Sequence, residues 1–228
     1  MTLESTALHT NGFVRLDGHM ADDLSVVNSA RVSFGKRKDE MDDSDVGLVG
    51  FLMRERHGTP FEHNAFRFHV RCPIFVAREW FRHRIGSFNE FSARYTEMVP
   101  EAYFPDADYW RKQIGKPGAY TFDSLGVDDM WDASNELSKA YMAAFSAYKR
   151  MLELGVAKEL ARLVIPVGTF TEFYWTVNAR SLMNFLSLRT AETAQREIRD
   201  YATACENYFA QVMPITHEAW IKSGRTCP

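Results

Sequence analysis

The stretch "AFRFHVRCPIFVAREWFRHRIGSFNEFSARY", residues 65 to 95, changes its period twice. In "AFRFHVR", Phe66, Phe68 and Val70 alternate with Arg67, His69 and Arg71, which predicts a strand buried on one face. Pro73 stops that strand and suits the first turn of a helix, which "PIFVAREWFRHR" continues with Phe75, Val76, Glu79 and Trp80 at helical spacing. Gly86 and the Ser and Asn residues after it predict a loop, so the polar run from 82 to 95 leaves a helix end and wraps something. That run packs three arginines, a histidine, two serines, an asparagine and a glutamate into fourteen positions.

Outward from this stretch the chain alternates elements without an internal repeat or an obvious linker. "DDLSVVNSARVSF" (22 to 34) and "DVGLVGFLMRERHG" (45 to 58) predict helices, the second closed by Gly58, with "GKRKDEMDDSD" between them as an exposed, mobile loop. Residues 103 to 128 are rich in Pro, Gly, Asp and Tyr without a period and predict an irregular excursion. Met130, Ala133, Leu137, Tyr141, Ala144, Tyr148 and Met151 then recur every three or four residues, which predicts a long amphipathic helix over 129 to 154 capped by Gly155. A short helix, "VAKELARLVIP", leads to a β-prone run, "VGTFTEFYWTV", and to two more helices, "NARSLMNFLSLR" and 193 to 213. The fold class is α+β, dominated by helix.

Composition narrows the function. With 228 residues, 46% of them hydrophobic, the chain can build a sizeable core. A net charge of -3 from 27 basic and 30 acidic side chains, and a pI near 6.2, argue against a nucleic-acid-coating role, so the cations of 82 to 95 serve something local. Three scattered cysteines without a CxxC pair suggest neither a disulfide framework nor a zinc site, and fit a reducing, cytoplasmic setting. His57, Glu62 and His63 lack the spacing of a metal centre, so no metal is expected. The first residues do not read as an export leader, so a protein that is not exported is expected, and no stretch approaches the ~20 apolar residues of a membrane span.

The planar forks of Arg82, Arg84 and Arg94 suit phosphate, Ser87, Asn89 and Ser92 add short-range donors, and Glu90 accepts from a sugar hydroxyl or ring N–H. The combination points to a nucleotide. No GxxxxGK[ST] loop occurs and the glycines never fall as GxG, so side chains rather than a glycine cradle must do the binding.

The run Arg82-His83-Arg84, Ser87, Asn89, Ser92, Arg94 reproduces the RHRxxSxNxxSxR signature, and on it the chain resembles the flavin-dependent thymidylate synthases. "HGTPFEH" (57 to 63), "PIFVAREWF", "ELARLVIP" (159 to 166) and "WTVNARSLMNFLSLR" (175 to 189) extend the resemblance, leaving out only 103 to 128 and the termini. It implies a helix-rich single domain over 1 to 228 with a central mixed or antiparallel sheet, assembled as a homotetramer with shared active sites. It also implies conversion of dUMP to dTMP, with carbon from methylenetetrahydrofolate and reducing equivalents from NADPH through bound FAD.

The same resemblance distributes roles. FAD falls to Thr59, Arg82, His83, Arg84, Asn89, Glu90, Asn178, Arg180 and Asn184. The dUMP set is Glu79, Arg82, Glu90, Ser92, Arg94, Arg162 and Arg189, with Ser92 and Arg94 on the phosphate, and His57 and Tyr95 stand at the folate and nicotinamide face. For individual residues plainer roles compete: Asn178 and Thr59 fit helix caps, and Arg162 fits a surface arginine with a buried stem. Methylation at C5 of uracil needs a nucleophilic carbon, made either by a thiolate adding at C6 or by ring polarisation. Cys72, before Pro73, reads as a small buried residue and Ser92 lacks a base, which favours ring polarisation without a cysteine nucleophile; Arg189, after an apolar helix, matches the family's arginine that contacts the pyrimidine, and on that resemblance it is the catalytic residue expected.

Overall fold

The computed structural model describes residues 4–228. In chain order its elements are β1 (Thr6–Leu8), β2 (Gly12–Met20), α1 (Asp23–Arg31), α2 (Asp43–Arg54), β3 (Ala65–Pro73), α3 (Ile74–Trp80), β4 (Ser87–Glu90), β5 (Arg111–Lys116), β6 (Ala119–Ser124), α4 (Val127–Glu153), α5 (Lys158–Ala161), β7 (Phe170–Val177), α6 (Ala179–Arg189), α7 (Arg196–Val212) and α8 (Pro214–Lys222). The main sheet has the order β1-β2-β3-β7-β4, and every pairing in it is antiparallel. The class is α+β.

The alternation that opens the sequence becomes β3, the middle of this sheet. Phe66, Phe68, Val70 and Cys72 are fully buried, and Val14 and Leu16 of β2 with Phe173, Trp175 and Val177 of β7 extend the same face. Leu182, Met183, Phe185 and Leu186 of α6 and Ile198, Tyr201, Cys205, Tyr208 and Phe209 of α7 join them in one core. Trp80 of α3 is its hub, stacked on Phe185 at 4.8 Å and edge-on to Trp175 at 5.4 Å. Each such aromatic contributes roughly 1.5–3 kcal/mol by leaving water. On the opposite face Arg15 donates to His69 Nδ1 at 2.7 Å, and His69 meets Glu172 Oε1 at 2.5 Å. Because an arginine only donates, the proton of neutral His69 sits on Nε2.

One long-range cap fixes the helical layer. Asp23 is 8% exposed and accepts from the backbone N–H groups of Ile215 (3.1 Å) and Thr216 (2.8 Å) and from the Thr216 hydroxyl (2.6 Å). These are the donors that the first turn of α8 leaves unpaired, and the α8 cap residue, Met213, has no side-chain acceptor for them.

Several expectations are corrected. The segment after Gly86 is an edge strand, β4, rather than a loop, because its backbone pairs with β7 from Ser87↔Thr176 to Glu90↔Phe173. The excursion at 103 to 128 contains a hairpin, β5-β6, turning at Gly118 with φ 86° and tied to the body by Arg111 on Glu197 at 3.2 Å. The charged stretch at 35 to 45 is pinned: Asn28 exchanges two hydrogen bonds with the Lys38 backbone, and the Lys38 ammonium reaches the buried Asp45 at 2.7 Å. Helix α2 ends at Arg54, not at Gly58, and the left-handed turn falls on Arg56 with φ 58°. Gly155, with φ 79°, does cap α4, but of the stripe on that helix only Tyr141 and Tyr148 are buried. The short helix at 158 ends at Ala161 and passes into a 3-10 turn, Arg162–Val164. Among the described residues no helix is long and apolar enough to cross a membrane.

Candidate active site

Helix α3 stops at Trp80, and a further turn carries His83, whose N–H reaches the Trp80 carbonyl at 3.0 Å. The chain then passes Gly86, where a Cβ would lie 2.8 Å from Trp175 Nε1 and 3.0 Å from the Thr176 carbonyl. Only glycine lets the backbone lie this flat on β7, and the result is that Arg82, His83 and Arg84 are laid along α6.

Helix α6 starts at Asn178, whose side chain accepts from Ser181 N–H at 2.8 Å, while Asn64 Oδ1 accepts from Ala179 N–H at 2.8 Å. With its apolar side in the core, the helix turns Arg180, Ser181, Asn184, Leu188 and Arg189 toward a cleft of about 760 Å³. Arg82, His83, Arg84 and Ile85 form the facing wall, and Asn178, Glu62 and Cys227 close the end. Of the residues expected at FAD, Arg82, His83, Arg84, Asn178, Arg180 and Asn184 therefore meet in one place. The capping role of Asn178 is real and coexists with a place on the cleft.

At the inner end of the cleft Arg189 is held by three contacts. Nε donates to His83 Nε2 at 3.0 Å, Nη1 to Glu79 Oε2 at 3.2 Å and Nη2 to the Glu79 carbonyl at 3.3 Å. Three of five N–H groups are used, and one remains on each terminal nitrogen. His83 is neutral at pH 7, because burial and then the charges of Arg189 and Arg82 depress its pKa to about 4. Its Nε2 accepts, so its proton lies on Nδ1. Burial raises the Glu79 carboxyl above the usual range even against the pull of Arg189. At the outer end Arg180 donates from Nη1 to Glu62 Oε1 at 2.5 Å and from Nε to the Pro228 carbonyl at 2.8 Å.

The rest of the expected set lies elsewhere. Glu90 Oε1 accepts from the Thr171 hydroxyl at 2.7 Å, and Phe91 N–H continues the ladder to the Glu172 carbonyl at 2.8 Å. The Ser92 carbonyl then takes the N–H groups of Tyr95 and Thr96, both at 3.1 Å, and the turn so made presents Arg94, whose guanidinium lies 5.0 Å from the Tyr95 ring centre. Lys158 of α5 donates to the Tyr95 carbonyl at 3.4 Å, which brings the following turn with Arg162 to the same surface. Five residue steps separate Ser87 from Ser92, so at about 3.4 Å each the edge strand and the residues after it carry Ser92 up to roughly 17 Å from Ser87. Asn89 is exposed on β4 opposite Tyr174. Thr59 and His57 are exposed outside the cleft lining, with His57 edge-on to Phe51 at 5.7 Å.

Glu62, Ser181 and Cys227 belong to the cleft and were not read as binding residues. Glu62 stands in the quoted "HGTPFEH", weighed there only as a metal ligand, whereas nothing local in the sequence brings Cys227 to α6. None of the three thiols is activated: burial pushes up Cys72, with Glu90 adding to the effect, and burial does the same at Cys205 and Cys227.

A family model described as thymidylate synthase complementing protein matches residues 15–215. The flavin-dependent thymidylate synthase of Thermosipho africanus is 48% identical over 214 residues, covering 92% of this chain and 91% of its own. That of Tropheryma whipplei is 44% identical over 226 residues, 94% of either chain. Among solved structures, the UMP/dUMP methylase PolB from Streptomyces cacaoi bound with 5-Br dUMP matches with a TM-score of 0.90 at 45% identity, covering 96% of this chain and 99% of that one. The same methylase bound with 5-Br UMP gives a TM-score of 0.89.

Proposed function

The chain belongs to the flavin-dependent thymidylate synthase family, and from that membership we propose that it methylates dUMP to dTMP, with carbon from methylenetetrahydrofolate and hydride from NADPH by way of FAD. The observation that carries this reading is the convergence of Arg82, His83, Arg84, Asn178, Arg180 and Asn184 on one cleft with Arg189 at its inner end. Guanidinium forks and side-chain amides are the donors that a pyrophosphate and a flavin ring with its carbonyls require, so the set fits FAD. When bound, FAD supplies the two-electron chemistry of the reductive step. Thr59, Asn89 and Glu90 complete its contacts in this proposal.

For dUMP, Ser92 and Arg94 take the phosphate, with Arg162 beside them, and Arg82, Glu90, Glu79 and Arg189 attend the nucleoside. Arg94 and Arg162 are exposed and stand apart from the α6 cleft. That separation supports a homotetramer with shared active sites, in which the Ser92–Arg94 turn of one copy serves the cleft of another. His57 and Tyr95, both exposed aromatics, face the folate and nicotinamide.

Arg189 performs the activation. Its two remaining N–H groups, one on each terminal nitrogen, form the fork that stabilises negative charge on the pyrimidine ring and so makes C5 nucleophilic. A neutral His83 keeps the Nε–H occupied, and Glu79 takes one N–H from each terminal nitrogen. Three protonated thiols support a route without a cysteine nucleophile, and three free cysteines fit a reducing cytoplasm.

The test is the absorption spectrum of the purified protein, followed by addition of dUMP. Flavin bands that shift with dUMP are expected. A colourless protein that cannot be loaded with FAD would end this reading, and flavin bands indifferent to dUMP would point to a flavin reductase.

A further inference from the structure

Arg180 is an exposed arginine on the first turn of α6, yet two separate segments, Gly58–Glu62 and the stretch ending at Pro228, fix its side chain. Glu62 takes Nη1 at 2.5 Å and the Pro228 carbonyl takes Nε at 2.8 Å. Gly58 lies beneath, where a Cβ would stand 2.4 Å from Nε. Two of five N–H groups are occupied and three remain.

The segment that brings Pro228 here is itself fastened. After Gly224 the chain turns back on Arg225, with φ 56°, and its N–H reaches the Trp220 carbonyl at 3.0 Å. The Arg225 guanidinium lies 4.5 Å from the Trp220 ring centre, donates to the Thr190 hydroxyl at 3.0 Å and pairs with Glu206. Its carbonyl accepts from the Ser187 hydroxyl, which places the strand of chain beside α6. From that anchor Cys227 Sγ meets the Arg180 carbonyl at 3.2 Å and lines the cleft, and Pro228 is buried.

We propose that residues 225–228 are part of the cofactor site: a strap, fastened at Arg225, that holds Arg180 against Glu62 in the position in which it meets FAD. A free arginine side chain samples many rotamers and loses that freedom on binding a ligand, whereas one already held loses little. The strap and Glu62 are positioning residues, acting on FAD through Arg180. The inference rests on the FAD reading of the α6 cleft.

The test uses the full protein and a chain ending at Thr226, which loses the Pro228 carbonyl and keeps the Arg225 anchor. Apoprotein is titrated with FAD, followed by flavin fluorescence, and the unfolding temperature of each apoprotein is recorded beside it. The shortened chain should bind FAD about tenfold more weakly, the loss of one held charge-assisted contact, with an unfolding temperature close to that of the full protein. In an Arg180→Ala background the same shortening should cost nothing further, because the two changes act through one side chain. Arg225→Ala and Glu62→Gln should weaken FAD in the same Arg180-dependent way, and they decide the matter if the shortened chain does not fold. Unchanged or tighter FAD binding by these variants overturns the strap, as does an equal loss in the Arg180→Ala background. A wild-type protein that binds no FAD overturns the cofactor reading and the strap with it.

Discussion

The α6 cleft and the surface formed by Ser92, Arg94 and Arg162 carry the same kinds of side chain under opposite conditions. In the cleft the two arginines on α6 are engaged before any ligand arrives, Arg189 by His83 and Glu79, Arg180 by Glu62 and Pro228. On the other surface Arg94 has only the Tyr95 ring and Arg162 only the Glu159 carbonyl, among the described residues. The α6 arginines are engaged within a single chain, whereas Arg94 and Arg162 keep most of their N–H groups open among the described residues. Under the proposed shared-site arrangement, the difference separates a preorganised chemical site, where held dipoles act at little reorganisation cost, from a docking surface completed on assembly.

The strongest way to break that comparison is through Arg189. Arg189→Ala should lower dTMP formation roughly a hundredfold or more, the scale of losing a preorganised charge donor. Arg189→Lys should keep FAD and much of the dUMP affinity while single-turnover methyl transfer by reduced enzyme falls, since the charge stays and the fork goes. NADPH-driven flavin reduction should survive in both, and wild-type dTMP formation by Arg189→Ala would remove this residue from the chemistry.

The next test divides the signature. Arg94→Ala should weaken dUMP about ten- to a hundredfold while leaving FAD nearly untouched, and Arg84→Ala should do the reverse. Co-assembly of Arg94→Ala chains with Arg189→Ala chains should restore a fraction of the turnover that neither has alone. Absence of that restoration in mixed oligomers would mean that both halves serve one chain.

A smaller effect follows from His83. Its pKa in the fold, about 4, lies below the ordinary 6.5, so as pH falls through that window the unfolded chain takes the proton first. The stability due to the neutral ring is complete above pH 6.5 and is lost progressively toward pH 4. Allowing for its partial exposure, the loss should be about 1 kcal/mol, and His83→Gln should flatten that part of a stability-against-pH curve. Smallest of all should be the response to replacing Cys72, Cys205 and Cys227 together by Ala or Ser: dTMP formation within about tenfold, reflecting packing and the lost Cys227 contact on the Arg180 carbonyl. A folded, FAD-loaded triple variant without turnover would restore a thiolate route.

What was legible in the sequence was what short stretches encode. β3 announced itself because Phe66, Phe68 and Val70 alternate without interruption, and α6 because Asn178 caps a run of core residues. β2 has the same period in Val14 and Leu16, but its register slips between Leu16 and Gly18, and the pattern is too short to stand out. β4 is polar and exposed, made a strand only by β7, whose residues come more than eighty positions later. α8 lacks a local cap because its cap is Asp23, at a separation of 193 residues from Thr216. The site followed suit. The signature gave the residue types and most of the α6 cleft, but with β4 read as a loop the extended path from Ser87 to Glu90 that carries Ser92 away from the cleft lining was invisible. Glu62 and residues 225–228 reach Arg180 only through tertiary structure.

The strand order also has a bearing on how this chain comes off a ribosome. β3 is the middle of the sheet, and its second neighbour, β7, begins at Phe170, 97 residues after β3 ends at Pro73. Until β7 has emerged, the nascent protein carries Phe66, Phe68 and Val70 on a strand with one unpaired edge and without α6 and α7 over its apolar face. Non-local pairing of this kind is slow, and an uncovered hydrophobic edge recruits other chains. At ordinary rates of synthesis the interval lasts roughly 5–20 seconds, long enough for chaperones to matter to the yield of folded protein.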